Sequence, residues 1–171
     1  FDYKIPKKNI CIEYVSANPT GPIHIAHIRG AIFGDVLCNL YQKTGFRVLR
    51  EYYVNDAGSQ IEKLSNSLYK RYLQLLNENI ELSEDEYPGE YLIDIAKEIY
   101  LSDKDKWLDK NENERNNHFK KFALNKLLNL IKKDLELIKV NFDKFTYESD
   151  IVKSKIINDL FKILEKKDLI Y

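Results

Sequence analysis

The sequence predicts an α/β fold that begins with a strand–helix–strand unit of parallel strands and continues into a mainly helical region. Apolar, β-rich runs occupy residues 10–15 and 46–54, and a helical period fills the segment between them. Such a connection places the two strands parallel, with a right-handed crossover. After Gly58 the alternation stops and amphipathic helical segments follow. We therefore predict three parts: residues 1–60, a helical region over 61–150, and a closing helix within 151–171.

In the first part, residues 1–9 are polar and predict a linker into a buried strand over Ile10–Val15. A helix is predicted from about His24 to Lys43, with Gly45 as its C-terminal cap, followed by a second strand over Phe46–Val54. The helical period rests on apolar residues at Ile25, Ile28, Ile32, Phe33, Val36, Leu37 and Leu40.

In the later parts, periodicity predicts four helices and one short strand. The predicted helices cover Ile61–Asn77, Glu90–Leu101, His118–Lys139 and Ile151–Lys167, and the strand lies within Val140–Glu148. The charge-dense segment Ser102–Asn117 is expected to be a solvated helix or loop.

Composition limits the function classes. Hydrophobic residues make up 44% and charged residues 32% of the 171 residues, which indicates a soluble globular protein. The 27 basic and 27 acidic side chains cancel, so overall charge does not attract nucleic acid. No apolar run is long enough for a membrane span and no signal peptide opens the chain.

Two further compositional features concern cysteine and methionine. Cys11 and Cys38 lie in apolar segments and are too few for a disulfide framework, so we expect core thiols in a reducing compartment. The chain begins with Phe1 and contains no methionine, so we expect Phe1 to be a cut or a boundary rather than a natural start.

The loop between the first strand and the first helix is the main candidate site. The first N–H groups of a helix have no internal partner, and the helix dipole favours negative charge there. His24 and His27 stand three residues apart, a spacing that places both on one helical face. Two imidazoles beside a helix N-terminus suit a phosphate that gains charge in a transition state. Alternatively, they are partly buried polar residues.

A second loop, Asn55–Gly58, follows the second strand. In parallel sheets ligands bind beyond the carboxyl ends of the strands, and both loops are expected at that edge.

The residues Asn18-Pro19-Thr20-Gly21-Pro22-Ile23-His24-Ile25-Ala26-His27 resemble the HIGH signature of class I aminoacyl-tRNA synthetases. With Ile12–Ala17 before it and Ile28–Ala31 after it, the string is similar specifically to arginyl-tRNA synthetases. Three later segments are also similar to that family, namely Tyr52–Gln60, Glu86–Tyr91 and Val140–Phe145. The resemblance implies the first half of a Rossmann-like nucleotide-binding fold, with the signature over residues 17–27 and a mainly helical connective insertion over 61–150.

The resemblance also implies the reaction. ATP, with the Mg²⁺ it carries, and L-arginine would form arginyl-adenylate and pyrophosphate, and the arginyl group would then pass to the arginine tRNA. Catalysis would consist of positioning and charge stabilisation at the α-phosphate. A cytoplasmic enzyme, monomeric at full length and without a protein-bound metal, is expected.

By the same resemblance, His24 and His27 are the catalytic residues that contact the ATP phosphates. Glu13 would bind the substrate guanidinium, for which a carboxylate is suited, and Ser16 and Asn18 would hold its α-amino group. The residues expected to bind ATP are Ala17, Pro19, Thr20, Gly21, Pro22, His24, Ala26 and His27. Residues expected to line the same pocket from the second loop are Asp56, Gly58 and Gln60.

Each of these roles has a structural alternative. Glu13 could face outward from an edge strand, and Ser16 and Asn18 could only cap the turn. Asp56 could be the N-cap of the following helix. The tyrosines of the matching segments are predicted to pack rather than stack on bases; they are Tyr52, Tyr53, Tyr87 and Tyr91.

Two departures from the family pattern matter. Ala26 stands where the family usually has glycine, and we expect this smallest replacement to be tolerated with modestly weaker ATP binding. The lysine-rich KMSKS loop has no counterpart here, because Val152–Lys155 lies inside a predicted amphipathic helix, and Gly21 stands where some members carry a substitute lysine. The anticodon-binding domain is missing too. We therefore expect a fragment that is inactive alone.

Two other functions stay open at this point. One is another nucleotidyltransferase with an HxxH site, a relative of pantothenate synthetase or the cytidylyltransferases. The other is a non-catalytic helical or RNA-interaction module.

Overall fold

The computed structural model describes residues 8–170, and the predicted linker residues before Lys8 and the terminal Tyr171 lie outside this range. The strands are β1 (Asn9–Glu13), β2 (Arg47–Val54) and β3 (Lys144–Tyr147). The helices are α1 (Ile25–Lys43), α2 (Ser59–Leu75), α3 (Tyr91–Asp103), α4 (Glu112–Leu137), α5 (Glu148–Lys153) and α6 (Ile156–Lys166). The predicted α/β class with a helical insertion is confirmed.

The chain divides into two compact units. Of the described residues, the sheet unit comprises 8–17, Ala26–Asp56 and 140–170. The helical unit comprises Asn18–Ile25 and Ala57–Lys139. The first part of the signature string is therefore grouped with the helical insertion rather than with the strands.

In the sheet unit, β2 lies between β1 and β3, and both pairings are parallel. Ile10 is aligned with Val48, and Tyr52 with Phe145. The crossover helix α1 ends as predicted at Gly45, which has φ +95°. The Gly45 N–H bonds to the Gln42 carbonyl at 3.0 Å, and the Phe46 N–H bonds to the Tyr41 carbonyl at 3.1 Å. This is the Schellman pattern that satisfies the last helical carbonyls.

The face that α1 buries differs from the predicted apolar stripe. Ile25 is 79% and Phe33 is 71% exposed, whereas the helix buries Ala31, Gly34 and Cys38. A Cβ at Gly34 would lie 2.3 Å from Cγ of the Tyr14 ring. The aromatic ring therefore fills the space that a side chain at position 34 would need, which requires glycine there.

Both cysteines were expected in the core, and the expectation holds for Cys38 alone. Cys11 is exposed on β1, and its thiol donates to the Glu51 carboxylate at 3.1 Å. Strand β1 alternates exposed and partly buried residues, so the prediction of a buried strand was wrong.

The helical unit is built on α2, α3 and α4. Their apolar faces form one core that includes Leu64, Leu68, Tyr72, Leu92, Ile99, Phe119 and Leu127. Helix α4 begins earlier than predicted, because the Asn111 side chain accepts a hydrogen bond from the Glu114 N–H at 3.0 Å and caps it.

The single helix predicted over Ile151–Lys167 is two helices, α5 and α6. Ser154 separates them with extended backbone, φ −73° and ψ 152°, and its hydroxyl donates to the Ile151 carbonyl at 2.5 Å. A serine that bonds to a nearby carbonyl in this way competes with helix continuation.

No helix within residues 8–170 combines the length and apolar character that crossing a membrane requires.

Candidate active site

The chain turns sharply between β1 and the signature. The Ser16 N–H bonds to the Tyr14 carbonyl at 2.9 Å, which closes a three-residue turn centred on Val15. Val15 has φ +65° and Ser16 has φ +39°. Positive φ is rare for a β-branched residue and is maintained only where the surroundings enforce it. This local strain lies at Ser16, which is predicted to bind arginine, and just before Ala17, the first residue predicted to bind ATP.

Two hydrogen bonds from β2 hold this turn. Ser16 Oγ accepts from the Tyr53 N–H at 3.0 Å, and the Tyr52 hydroxyl donates to the Ala17 carbonyl at 2.8 Å. The Tyr52 ring is fully buried and stacks on Phe145 with ring centroids 5.2 Å apart. Burial raises the pKa of Tyr52 well above its usual range, so the hydroxyl stays protonated and donates.

The other predicted residues of the sheet unit lie at helix and strand ends. Glu13 is exposed at the end of β1, at the edge of the described sheet. Ala26 is exposed and His27 is partly buried, both in the first turn of α1. His24 belongs to the helical unit instead. It was expected to begin the helix, but it precedes the first helical residue, Ile25.

The first turn of α1 carries no acidic side chain. Each of the other described helices has at least one acid there, for example Glu62 in α2 and Asp159 in α6. An acid at that position would offset the positive end of the helix dipole. The start of α1 therefore keeps its preference for a bound anion.

Asp56 has a structural partner. Its carboxylate accepts the Ser149 N–H at 2.8 Å and the Ser149 hydroxyl at 2.6 Å, at the first turn of α5. The N-cap of α2 is Gly58, with φ +84°, so the alternative role of Asp56 as that N-cap was wrong. Its predicted pocket role stays a prediction.

In the helical unit, two predicted site residues meet. The Asn18 side-chain amide donates to Gln60 Oε1 at 2.9 Å. This bond links the start of the signature loop to the first turn of α2. Gly58 and Gln60 are exposed, as is Asn18.

The middle of the signature loop is held by Tyr91, the first residue of α3. Its hydroxyl donates to the Thr20 carbonyl at 2.6 Å, and a Cβ added at Gly21 would lie 3.2 Å from the same oxygen. The loop also contains a bond from the Thr20 N–H to the Asn18 carbonyl at 2.7 Å. Pro19 is buried, whereas Pro22 and His24 are exposed.

Sequence reasoning missed the hydroxyl groups of Tyr52 and Tyr91. The rings pack, as predicted, but each hydroxyl also bonds to a carbonyl of residues 17–27. No local pattern identifies that carbonyl, because the partners are 35 and 71 residues apart.

A separate polar cluster lies on the strands. The Glu51 carboxylate accepts hydrogen bonds from Thr146 Oγ1 and Cys11 Sγ and pairs with Lys144 Nζ at 3.2 Å. The bonds from Thr146, Cys11 and Lys144 lower the pKa of Glu51 to about 2. Within residues 8–170 no three His, Cys, Asp or Glu side chains are grouped to hold a metal ion.

Residues 3–171 match the family model described as tRNA synthetases class I (R), catalytic domain. The chain is 47% identical over 164 residues to an arginine–tRNA ligase from Ehrlichia ruminantium, covering 96% of this chain and 28% of that protein. It is 46% identical over 172 residues to one from Rickettsia bellii, covering 100% of this chain and 30% of that protein. The chain thus spans about three tenths of the length of these relatives.

Solved structures agree. A protein from Campylobacter jejuni described as an arginyl-tRNA synthetase aligns with TM-score 0.85 and 38% identity, over 98% of this chain and 36% of that one. The arginyl-tRNA synthetase of Thermus thermophilus shares the fold, with TM-score 0.60 at 21% identity over 95% of this chain and 27% of that one. These matches do not support the alternative of an unrelated HxxH nucleotidyltransferase. The chain belongs to the class I arginyl-tRNA synthetase family, within its catalytic domain.

Proposed function

We propose that this chain supplies the signature-bearing part of the catalytic domain of an arginine–tRNA ligase. The observation that carries the proposal is the position of the string Asn18–His27, which leads from a strained turn after β1 into the first turn of α1. That helix start has no acid of its own, which suits an anionic ligand. L-arginine, ATP and the arginine tRNA are the proposed substrates, and the cytoplasm is the proposed location.

The proposed reaction has two steps. The carboxylate oxygen of arginine attacks the α-phosphorus of ATP, the bond from that phosphorus to the bridging oxygen breaks, and pyrophosphate leaves with the electrons of that bond. Mg²⁺ that enters with ATP would offset part of the phosphate charge. A hydroxyl of the terminal tRNA ribose then attacks the carbonyl carbon of arginyl-adenylate, and AMP leaves. No covalent enzyme intermediate forms, so the protein contributes positioning and charge stabilisation.

His24 and His27 are the proposed donors to the phosphate oxygens that gain charge in the first step. Glu13 is proposed to accept hydrogen bonds from the substrate guanidinium, a charge-assisted interaction. Ser16 and Asn18 are proposed to orient the α-amino group. Ser16 Oγ already accepts the Tyr53 N–H, which leaves its own O–H and its second lone pair for a ligand.

The test is arginine-dependent ATP–pyrophosphate exchange by the complete gene product, with the arginine tRNA present. We expect exchange with arginine and not with other amino acids, and a loss of at least about 100-fold in His24→Ala/His27→Ala. The third histidine, His118, provides the control: His118→Phe keeps its stacking on Trp107 and should retain exchange. Absence of exchange with every amino acid would overturn the proposal.

A further inference from the structure

We infer that Tyr91 is a positioning residue for the signature loop: from the first residue of α3, within the insertion, its hydroxyl fixes the Thr20–Gly21 backbone that ATP must approach. The inference rests on the proposed function, because it assigns the loop to nucleotide binding. It concerns groups that lie within one compact unit, since Asn18–Ile25 and α3 both belong to the helical unit.

The bond itself is short and shielded. The Tyr91 hydroxyl donates to the Thr20 carbonyl at 2.6 Å, and burial raises the pKa of this hydroxyl. The phenol therefore remains a donor at neutral pH. A phenol bound to a carbonyl fixes the direction of that peptide group, and with it the backbone of Gly21, the next residue.

Two glycines lie close to Tyr91, one at its ring and one at its hydroxyl. A Cβ at Gly89 would lie 2.1 Å from Tyr91 Cε1, and a Cβ at Gly21 would lie 3.2 Å from the Tyr91 hydroxyl. Glycine at position 89 therefore allows the ring to reach the loop, and glycine at position 21 allows the loop to reach the ring. The two glycines and the tyrosine form one packed arrangement that determines where the loop lies.

The insertion is stable enough to act as a support. Leu92 and Ile99 of α3 are fully buried in the core of the helical unit. Tyr91 thus projects from the first turn of a well-packed helix, whereas the loop it holds contains little regular structure. A rigid donor on a helix positions a loop more reliably than contacts within the loop.

The experiment compares Tyr91→Phe with the parent enzyme in ATP–pyrophosphate exchange at varied ATP and varied arginine. Phenylalanine keeps the ring packing and removes only the hydroxyl. We expect KM for ATP to rise roughly three- to tenfold, the effect of losing one hydrogen bond to a shielded carbonyl. KM for arginine should stay within about twofold of the parent value, because the Tyr91 hydroxyl donates to the Thr20 carbonyl and not to a side chain proposed to bind arginine.

Tyr72→Phe is the matched control. The Tyr72 hydroxyl also donates to a backbone carbonyl of the helical unit, that of Lys104, which is outside the signature loop. If the role of Tyr91 were only structural, both variants would lower the melting temperature and leave KM for ATP unchanged, and the inference would be wrong. An inactive parent enzyme would instead overturn the proposed function, so the two failures are distinguishable.

Gly89→Ala provides a second, independent test of the role of Tyr91. Its Cβ would lie 2.1 Å from Tyr91 Cε1, so the ring could not keep its place. We therefore expect KM for ATP to rise at least as much as in Tyr91→Phe. In the double variant the two effects should not add, since both act through the same bond. Additive effects would contradict the proposed path from Gly89 through Tyr91 to Thr20.

Discussion

The Asp56 carboxylate caps the first turn of α5 through both polar hydrogens of Ser149, at 2.8 Å and 2.6 Å. This contact joins the segment after β2 to the helix that follows β3. A carboxylate at a helix N-terminus interacts favourably with the helix dipole and satisfies a free N–H group. The two residues are 93 positions apart in the chain.

We predict that Asp56→Ala lowers the free energy of unfolding of the sheet unit by about 2 kcal/mol, and Ser149→Ala by about 1 kcal/mol, from the number of bonds each removes. Amide hydrogen exchange of residues 148–153 in the complete protein measures this loss of stability. Asp150→Ala is the control, because the Asp150 side chain is exposed in the same turn of α5. Unchanged protection in Asp56→Ala, with a raised KM for arginine, would instead indicate a ligand role for Asp56.

The bond between Asn18 and Gln60 predicts an effect on substrate binding. In Gln60→Ala the Asn18 amide loses the partner that holds it. If Asn18 orients the α-amino group of arginine, this change should raise KM for arginine roughly threefold to tenfold and leave KM for ATP unchanged. Gln74→Ala is a suitable control, because that side chain lies at the other end of α2 and bonds to the Ile80 carbonyl. An equal change of KM for arginine in both variants would refute a specific role for Gln60.

The sequence predicted the elements that depend on short-range patterns. The run Ile10–Val15, the helical period after His24 and the cap at Gly45 each reflect local chemistry, and the structure contains β1, α1 and a Schellman turn there. The strand within Val140–Glu148 was also predicted, and it is β3, which pairs in parallel with β2.

The parts that were wrong depend on long-range packing. The buried face of α1 was misjudged because its close approach to Tyr14 needs glycine, and hydrophobic periodicity gives small residues little weight. The positions of Tyr52 and Tyr91 hydroxyls depend on contacts across the fold, as does the bond from Cys11 to Glu51. Helix α4 was placed too late because the capping pair Asn111 and Glu114 was overlooked within a charge-dense segment.

The thiol of Cys11 should react slowly although it is exposed. Its hydrogen bond to the Glu51 carboxylate is the main cause of its raised pKa, so less of the reactive thiolate is present at neutral pH. We predict that Glu51→Gln speeds alkylation of Cys11 by iodoacetamide several-fold, roughly the effect of removing one adjacent negative charge. Mass spectrometry of labelled peptides measures the rate, and the buried Cys38 serves as the internal reference. An unchanged rate in Glu51→Gln would show that the carboxylate does not control the thiol.

Protonation of His118 should destabilise the helical unit. The imidazole stacks on Trp107 with ring centroids 3.9 Å apart, and its Nε2 lies 3.7 Å from Asp103 Oδ2, which already accepts the Trp107 indole N–H at 2.6 Å. Burial lowers the pKa of His118, Asp103 opposes this shift, and Lys106 adds to it.

The pKa of His118 is lower in the folded state than in the unfolded chain, where a histidine titrates at about pH 6.5. The unfolded state therefore binds more protons than the folded state below that pH. The stabilising contribution of neutral His118 is therefore complete above about pH 6.5 and is lost as the pH falls through the folded-state pKa. We predict that protection of α4 against hydrogen exchange falls between pH 7.5 and pH 5.5, and that His118→Phe removes this dependence while keeping the stacked ring. If His118→Phe still lost protection of α4 to the same extent over this pH range, the pH dependence would belong to another group.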